Sequence, residues 1–168
     1  TKRYIIFFGL LYALNKLHSE FIIHRDIKPA NILLDENYYP KLADFGTALI
    51  NKVVDDEQAG TLCYMAPEIL LRSERCSFRS DIYSFSLVAY ELLTENAPFS
   101  QYKKTSELKR AIKNGEIPDL SMILYPEIKT FFRKCWSREP SDRPSANDLI
   151  ELVTQSQCFQ LAFDSDIV

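Results

Sequence analysis

Apolar residues recur at helical spacing near the start of the chain. One helical face is formed by Ile6, Leu10, Ala13, Leu14 and Leu17. The other positions of the same stretch are also apolar, namely Ile5, Phe7, Phe8, Leu11 and Tyr12. Because nearly every side of this segment is apolar, the pattern predicts a helix that is buried on most of its sides.

The elements that follow this helix are short. Residues 21–24 form a short extended run, and two apolar runs at 32–34 and 41–43 flank a turn-rich stretch at 35–40. This pattern predicts a β-hairpin. After it comes a long segment with little periodicity, and loops of that length inside a compact domain are uncommon and usually functional.

Helical spacing returns in the second half of the chain. The apolar stripe from Ile82 to Leu93 stops before an Ala-Pro pair, and Ser80 or Asp81 is placed to cap the start of this helix.

Three further helices are expected, at residues 106–113, 126–137 and 145–154. The predicted fold class is therefore mainly α with small β-hairpins. Residues 1–154 are assigned to one domain, and residues 155–168, in which no pattern is recognised, to a C-terminal tail.

Composition narrows the functional classes. The chain has 20 Lys and Arg against 23 Asp and Glu, so no diffuse basic surface favours nucleic acid or anionic lipid. The apolar runs fall short of the roughly 20 residues that a membrane-spanning helix needs. The four cysteines are far apart without Cys-x-x-Cys spacing, which argues against zinc and against a disulfide scaffold. We expect a protein of the cytosol or nucleus with reduced thiols.

Three motifs carry the candidate chemistry. Residues 24–31 are His-Arg-Asp-Ile-Lys-Pro-Ala-Asn, residues 44–46 are Asp-Phe-Gly, and residues 66–68 are Ala-Pro-Glu. Each motif alone is a weak signal, because an isolated aspartate is commonly a turn or cap residue. In this order, separated by a hairpin and then by a long loop, they form a strong compound signal. The chain resembles the eukaryotic-type protein kinases.

The resemblance covers only the large, C-terminal lobe of that family. No glycine-rich loop and no strand lysine of the Val-Ala-Ile-Lys type occurs in the sequence. The resemblance therefore implies a protein-kinase-like large lobe without the β-rich small lobe, which we expect upstream of Thr1. The chain begins without methionine and enters a helical pattern almost at once, as an excerpt or a truncated product would.

The resemblance assigns roles to the polar motif residues. Phosphoryl transfer needs an aligned acceptor hydroxyl, neutralised phosphate charge and bound metal ions. By resemblance, Asp26 accepts or orients the proton of the substrate hydroxyl, and Lys28 offsets the charge of the transferred phosphate. Asn31 and Asp44 supply hard oxygen ligands for Mg²⁺ that enters with ATP. The expected cofactor-binding residues are thus Lys28, Asn31 and Asp44.

Other motif residues are expected to serve structure or regulation. His24 resembles a histidine that packs and forms hydrogen bonds, without exchanging protons. Phe45, followed by Gly46, is expected to pack and to set active or inactive geometry. Arg25 resembles the arginine that binds a phosphorylated loop residue in many kinases.

Two predicted contacts join distant parts of the chain. Glu68 resembles the glutamate that pairs with an arginine near the end of the lobe, for which Arg143 is the candidate. Asp81 resembles the helix aspartate whose carboxylate accepts backbone hydrogen bonds from the His-Arg-Asp turn. Trp136, in contrast, is expected to be a core residue.

The acceptor type is predicted from residues around the motifs. Lys28 after Asp26, together with Thr61 ahead of residues 64–68 (Tyr-Met-Ala-Pro-Glu), resembles serine/threonine kinases. The same five residues, with residues 135–144, resemble the tyrosine-kinase-like group that includes mixed-lineage and Raf-type enzymes.

The long loop holds an acidic cluster instead of a phosphorylation site. Between Thr47 and Thr61 there is no serine, threonine or tyrosine, and Asp55, Asp56 and Glu57 lie there. One hypothesis is that a carboxylate of this cluster reaches the Arg25 side chain and partly imitates a phosphate. The alternative is a solvated loop tip, because exposed ion pairs contribute only ~0–1 kcal/mol.

The leading prediction is a serine/threonine protein kinase that transfers the γ-phosphate of ATP to protein hydroxyls. A non-catalytic scaffold or regulator derived from a kinase is the alternative, and the intact set of Asp26, Lys28, Asn31 and Asp44 argues against it. A small-molecule phosphotransferase would not need the Ala-Pro-Glu segment. Because half of the nucleotide cleft is absent from the sequence, we expect this chain alone to catalyse little or nothing.

Overall fold

The computed structural model describes residues 2–44, 62–73 and 75–164 of the chain. These ranges contain seven α-helices: α1 Lys2–Ser19, α2 Pro67–Leu70, α3 Phe78–Thr94, α4 Thr105–Lys113, α5 Pro126–Cys135, α6 Ala146–Gln155 and α7 Gln157–Asp164. They also contain one antiparallel sheet of two strands, β1 Ile32–Leu34 and β2 Pro40–Leu42. The predicted mainly α fold with a β-hairpin is confirmed.

The hairpin is held in register by its strand pairs and by α1 behind it. Ile32 lies opposite Leu42, and Leu34 lies opposite Pro40. Gly9 of α1 lies against Pro40, where an added Cβ would be only 2.7 Å from the proline Cδ. The absence of a side chain at Gly9 therefore lets α1 approach the start of β2.

Helix α3 lies at the centre of the core and begins earlier than predicted. Ser77 is its N-cap, because the Ser77 side chain accepts from the backbone N–H of Ser80 at 3.3 Å. In return, the Ser80 hydroxyl oxygen accepts from the Ser77 backbone N–H at 2.8 Å, which completes a capping box. The prediction that Ser80 or Asp81 caps this helix was therefore wrong. Several polar residues lie within one turn at the start of α3, so the sequence does not identify the cap. Ser77 is the cap because its backbone is extended.

Helix α1 is less completely buried than predicted. Its buried residues, Phe7, Leu10, Leu11 and Leu14, form one face, whereas Tyr12 is 63% exposed. The helix that is buried almost all round is α3, which packs against α1 and α5. Periodicity shows that both helices are apolar, but only the packing decides which one becomes central.

The three later helices match their predictions within two residues at each end. Helix α6 begins after the N-cap Ser145, whose hydroxyl oxygen accepts from the Asp148 backbone N–H at 3.1 Å. The Asp148 carboxylate accepts from the Ser145 backbone N–H at 2.8 Å. The extended run at residues 21–24 is not a strand; the chain turns there, and Phe21 has a φ of 58°.

The tail, in which no pattern was recognised, contains α7. Its side chains Phe159, Ala162 and Phe163 are each at most 2% exposed. The spacing of these three residues, i, i+3 and i+4, was the available signal for an amphipathic helix. No helix within the described ranges is long and apolar enough to cross a membrane.

Candidate active site

The motif at residues 24–31 forms a loop between α1 and β1. Helix α1 ends in a reversal in which the backbone N–H of Ile22 donates to the Leu17 carbonyl at 2.9 Å, and that of Phe21 donates to the His18 carbonyl at 3.1 Å. The loop then runs to a 3₁₀ turn at Pro29–Asn31, directly before β1. Both ends of the loop are thus anchored on regular elements.

Asp26, Lys28 and Asn31 meet in this loop. The Lys28 Nζ lies 2.9 Å from the Asp26 Oδ2. The Asn31 Nδ2 donates to that same oxygen and to the Asp26 backbone carbonyl, both at 2.8 Å. The Asp26 side chain remains 32% exposed. Two donors therefore orient a carboxylate that stays accessible to a ligand.

The same contacts orient the Asn31 amide. Its NH₂ group faces two oxygen acceptors of Asp26, so its carbonyl oxygen is directed away from them. Asn31 is 8% exposed and lies at the end of the 3₁₀ turn. This orientation leaves a neutral hard oxygen for a cation, which fits the Mg²⁺ ligand expected at this position.

Asp44 is brought close to Asn31 by the hairpin. The backbone N–H of Ala43 donates to the Asn31 carbonyl at 2.8 Å, which places the next residue, Asp44, beside the loop. Asp44 is exposed and has a φ of 59°. A carboxylate and a carboxamide oxygen from adjacent strand ends form a donor set of the kind that Mg²⁺ takes, with further ligands from phosphate and water.

Asp81 of α3 fixes the shape of the loop from behind. Its Oδ2 accepts from the His24 backbone N–H at 2.8 Å, and its Oδ1 accepts from the Arg25 N–H at 2.9 Å. Asp81 was predicted to accept backbone hydrogen bonds from the His-Arg-Asp turn, and the structure shows that His24 and Arg25 donate them. Arg25 has a φ of 76°, which is unfavourable for a residue with a side chain and is held here by the buried carboxylate.

His24 links the loop to the end of the hairpin. Its Nε2 lies 3.0 Å from the Ala43 carbonyl oxygen, and its Nδ1 lies 3.4 Å from the Asp26 backbone N–H. A carbonyl can only accept, so the Nε2 donates to Ala43, and the Nδ1 faces the N–H of Asp26. The ring is fully buried, so it serves these contacts and packing.

Glu68 and Arg143 form the predicted ion pair. Arg143 donates from Nη1 and Nη2 to the two carboxylate oxygens of Glu68, at 2.7 and 2.8 Å. Arg143 also donates to the carbonyl oxygens of Ser137, Arg79 and Arg138. Both side chains are nearly fully buried, so the pair ties α2 firmly to the turn before α6.

Sequence reasoning missed two polar contacts that surround the site. His18, at the end of α1, directs its Nε2 to the Asp81 Oδ2 at 3.1 Å. The Tyr64 hydroxyl donates to the Glu91 carboxylate of α3. Burial and this hydrogen bond raise the pKa of Tyr64.

Both contacts left a signal in the sequence. His18 lies four residues after the buried Leu14, and Glu91 lies beside the apolar stripe of α3. A polar residue on an apolar face requires a partner, but the pattern does not name that partner.

A small cleft opens in front of Asp26. Lys28 lines it on the loop side, and Tyr64 and Met65 line it from the segment before α2. The carboxylate of Asp26 therefore faces a space bounded by the residues next to the Ala-Pro-Glu motif. The predicted residues Phe45, Gly46 and Thr61, and the acidic cluster at 55–57, lie outside the described ranges.

The sequence of the chain is similar to those of known proteins. The sequence model of the family "Protein kinase domain" matches residues 3–153. The chain is 34% identical over 145 residues to Serine/threonine-protein kinase STY17 of Arabidopsis thaliana, which covers 85% of this chain and 25% of that protein.

Two other relatives show a similar degree of likeness. The chain is 35% identical over 146 residues to Dual specificity protein kinase shkC of Dictyostelium discoideum, with 82% of this chain and 29% of that protein covered. It is 38% identical over 144 residues to Mitogen-activated protein kinase kinase kinase 9 of Arabidopsis thaliana, with coverages of 84% and 18%. The chain thus spans less than a third of the length of each of these relatives.

Proposed function

The chain belongs to the protein kinase domain family, and from this premise we propose that it supplies the acceptor-aligning and metal-holding part of a serine/threonine protein kinase. The observation that carries the proposal is the Asp26, Lys28 and Asn31 cluster. In it a carboxylate that is about a third exposed is oriented by an amide and an ammonium group within hydrogen-bonding distance. Such a group is placed to accept a proton from an incoming hydroxyl.

Each residue of the cluster has a distinct task in the proposal. Asp26 orients the hydroxyl of a protein substrate in the cleft and accepts its proton as the oxygen attacks phosphorus. Lys28 holds the Asp26 carboxylate and offers positive charge to the transferred phosphate. Asn31 and Asp44 would hold Mg²⁺ and, with Lys28, the phosphates of ATP. Bound Mg²⁺ would neutralise the charge on those phosphates.

The remaining contacts support alignment in this proposal. Asp81 holds the backbone of residues 24 and 25, and His24 ties the loop to the strand that leads to Asp44. The Glu68–Arg143 pair holds the segment that bounds the peptide side of the cleft. Positioning of this kind accounts for most of the catalytic effect in phosphoryl transfer.

The type of acceptor hydroxyl and the cellular compartment are also part of the proposal. Lys28 beside Asp26 and the likeness to Serine/threonine-protein kinase STY17 favour serine and threonine hydroxyls, in an enzyme of the tyrosine-kinase-like group. Cys76, Cys135 and Cys158 carry free thiols, which suits the cytosol or the nucleus.

The experiment replaces Asp26 by Asn in this chain joined to the small lobe of a related protein kinase. Transfer of labelled phosphate from ATP to a serine- and threonine-containing peptide library is measured. We expect turnover to fall ~10²–10⁴-fold, because a carboxamide cannot take the proton. Nucleotide binding should stay within a few-fold, because Asn31 and Asp44 are unchanged.

The matched control is Asp142→Asn, an exposed aspartate in the 3₁₀ turn Pro140–Asp142. This variant should keep the turnover of the parent. If Asp26→Asn also retained turnover within a few-fold of the parent, Asp26 would have no part in the reaction and the proposal would be abandoned.

A further inference from the structure

Helix α7 lies outside the residues that the family model matches. The match ends at residue 153, whereas α7 spans Gln157–Asp164. Helices shorter than ~12–15 residues are marginal in water, so a helix of this length depends on tertiary contacts. The structure therefore contains a helix beyond the matched residues that the rest of the chain must stabilise.

These contacts are aromatic and fully buried. The Phe163 ring stacks on Phe7 of α1 with a centroid distance of 4.3 Å. The Phe159 ring meets Phe131 of α5 edge-on at 5.2 Å and lies parallel to Phe7 at 6.1 Å. Phe7 is 0% exposed with α7 in place. Helix α7 therefore contacts both α1 and α5 through Phe159.

Helix α1 continues from this aromatic cluster to the back of the loop at residues 24–31. Phe7 and His18 belong to the same helix, and a helix of that length extends about 16 Å between them at ~1.5 Å per residue. The His18 Nε2 reaches the Asp81 Oδ2, the oxygen that also accepts from the His24 backbone N–H. The ring of His18 is further packed on Phe78 at 4.8 Å.

We infer that α7 is a strap that sets the position of α1 and, through His18 and Asp81, holds the backbone of residues 24 and 25. The Asp81 Oδ2 accepts from both the His18 ring and the His24 amide, so the orientation of the carboxylate depends on where α1 places the imidazole. A shift of α1 moves His18 and releases the amides of His24 and Arg25. The consequence for catalysis rests on the proposed function, whereas the effect on these amides does not.

The test is hydrogen exchange at single backbone amides in the 168-residue chain. Phe163→Ala removes the ring that covers Phe7, and Leu161→Ala is the matched control, since Leu161 lies on the same helix and is 56% exposed. We expect exchange at the His24 and Arg25 amides to rise about 10-fold or more in Phe163→Ala. In Leu161→Ala it should stay within about 2-fold.

A second control separates the strap from general loss of stability. Leu108→Ala opens the core at α4, where Leu108 is 1% exposed. The two variants are compared at an equal loss of unfolding free energy, measured by urea denaturation. If Leu108→Ala then raises exchange at the His24 and Arg25 amides as much as Phe163→Ala does, the strap is overturned. Phe163→Leu, which keeps most of the buried volume, replaces Phe163→Ala if the latter fails to fold.

The path through His18 has its own test. His18→Asn alone should raise exchange at the His24 and Arg25 amides, because Asp81 loses one donor. In the His18→Asn variant, Phe163→Leu should raise the exchange of these two amides less than it does in the parent, since both changes act on the same connection. Fully additive effects on the logarithm of the exchange rate would overturn the path. Phosphotransfer is not measured, so failure here is distinguishable from failure of the proposed function.

Discussion

Left-handed backbone conformations surround the loop that carries Asp26. Phe21, Arg25 and Asp44 have φ values of 58°, 76° and 59°. Such conformations cost about 1–2 kcal/mol for residues with a side chain, and they persist only where neighbouring contacts hold them. At Arg25 the holding contact is the Asp81 carboxylate, and at Phe21 it is the hydrogen-bonded end of α1.

Phe21 provides a stability test at this scale. Its side chain is 85% exposed, so Phe21→Gly loses little packing and relieves the backbone. We expect the free energy of unfolding to increase by about 1 kcal/mol, measured by urea denaturation. Phe99 has nearly the same φ, 56°, but is 4% exposed. Phe99→Gly should therefore lower the free energy of unfolding by about 3–5 kcal/mol. A loss of stability in both variants would contradict the argument.

At the scale of elements, the structure is joined by buried polar contacts between segments distant in sequence. The Glu68–Arg143 pair joins α2 to the turn before α6, and Asp81 joins α3 to the loop after α1. Helix ends are closed by capping boxes at Ser77 and Ser145. A helix cap can form within its own turn. A buried pair can form only when both of its elements are in place.

The ion pair should show strong coupling in a double-mutant cycle. Glu68→Ala and Arg143→Ala each leave an unpaired buried charge, so each should cost about 3–5 kcal/mol of unfolding free energy. The double variant should cost clearly less than the sum of the two. Denaturant melts of the four proteins provide the cycle. The exposed pair of Lys104 and Glu107, 3.8 Å apart, is the control and should couple by no more than about 0.5 kcal/mol. Strict additivity for Glu68 and Arg143 would contradict the pair.

The cap of α6 should depend on pH. Hydrogen bonds from the Ser145 side chain and backbone hold the pKa of Asp148 below its ordinary value of 3.8. A carboxyl with a depressed pKa in the folded protein stabilises it above the unfolded pKa and loses this effect as pH falls through the folded pKa. Because it removes one side of the capping box, Asp148→Ala should lower the free energy of unfolding by about 1 kcal/mol near pH 7.

The difference in unfolding free energy between the parent and Asp148→Ala should become smaller only below a pH of about 3.8. Urea melts of parent and variant at several pH values measure it. A cost that already disappears between pH 7 and 5 would show that the carboxylate does not act through this cap.

At the scale of the whole molecule, the described elements leave apolar surface near the proposed site. Leu33 and Leu34 of β1 are 58% and 46% exposed. A groove of about 210 Å³ beside them is lined by residues of α1, β1 and α3, among them Leu10, Ile32 and Val88. Apolar surface of this kind next to a polar cluster is typical of a binding cleft.

The 168-residue chain alone should bind ATP–Mg²⁺ weakly and should not phosphorylate a generic protein substrate. Its sequence contains no glycine-rich loop and no strand lysine for the ATP phosphates. Isothermal titration and transfer of labelled phosphate measure the two properties. Clear turnover by the purified chain that disappears in Asp44→Ala would contradict this prediction.

Elements held by local interactions were predictable from the sequence. The hairpin, the three later helices and the central apolar helix follow from periodicity and turn residues. The clustering of Asp26, Lys28 and Asn31 was also predictable, because these residues lie within one short loop. The Glu68–Arg143 pair spans a large sequence separation, and the resemblance to a known family, rather than periodicity, predicted it.

Partners across elements were decided only by the tertiary structure. The sequence alone determined that α1, α3 and α7 carry apolar residues, but packing decided that α3 is central, that α1 buries one face and that α7 covers Phe7. The contacts of His18 with Asp81, of Tyr64 with Glu91 and of His24 with Ala43 arise in the same way. The physical reason is that periodicity and capping depend on neighbours within a few residues, whereas the partner of a buried polar group depends on which elements come to lie beside it.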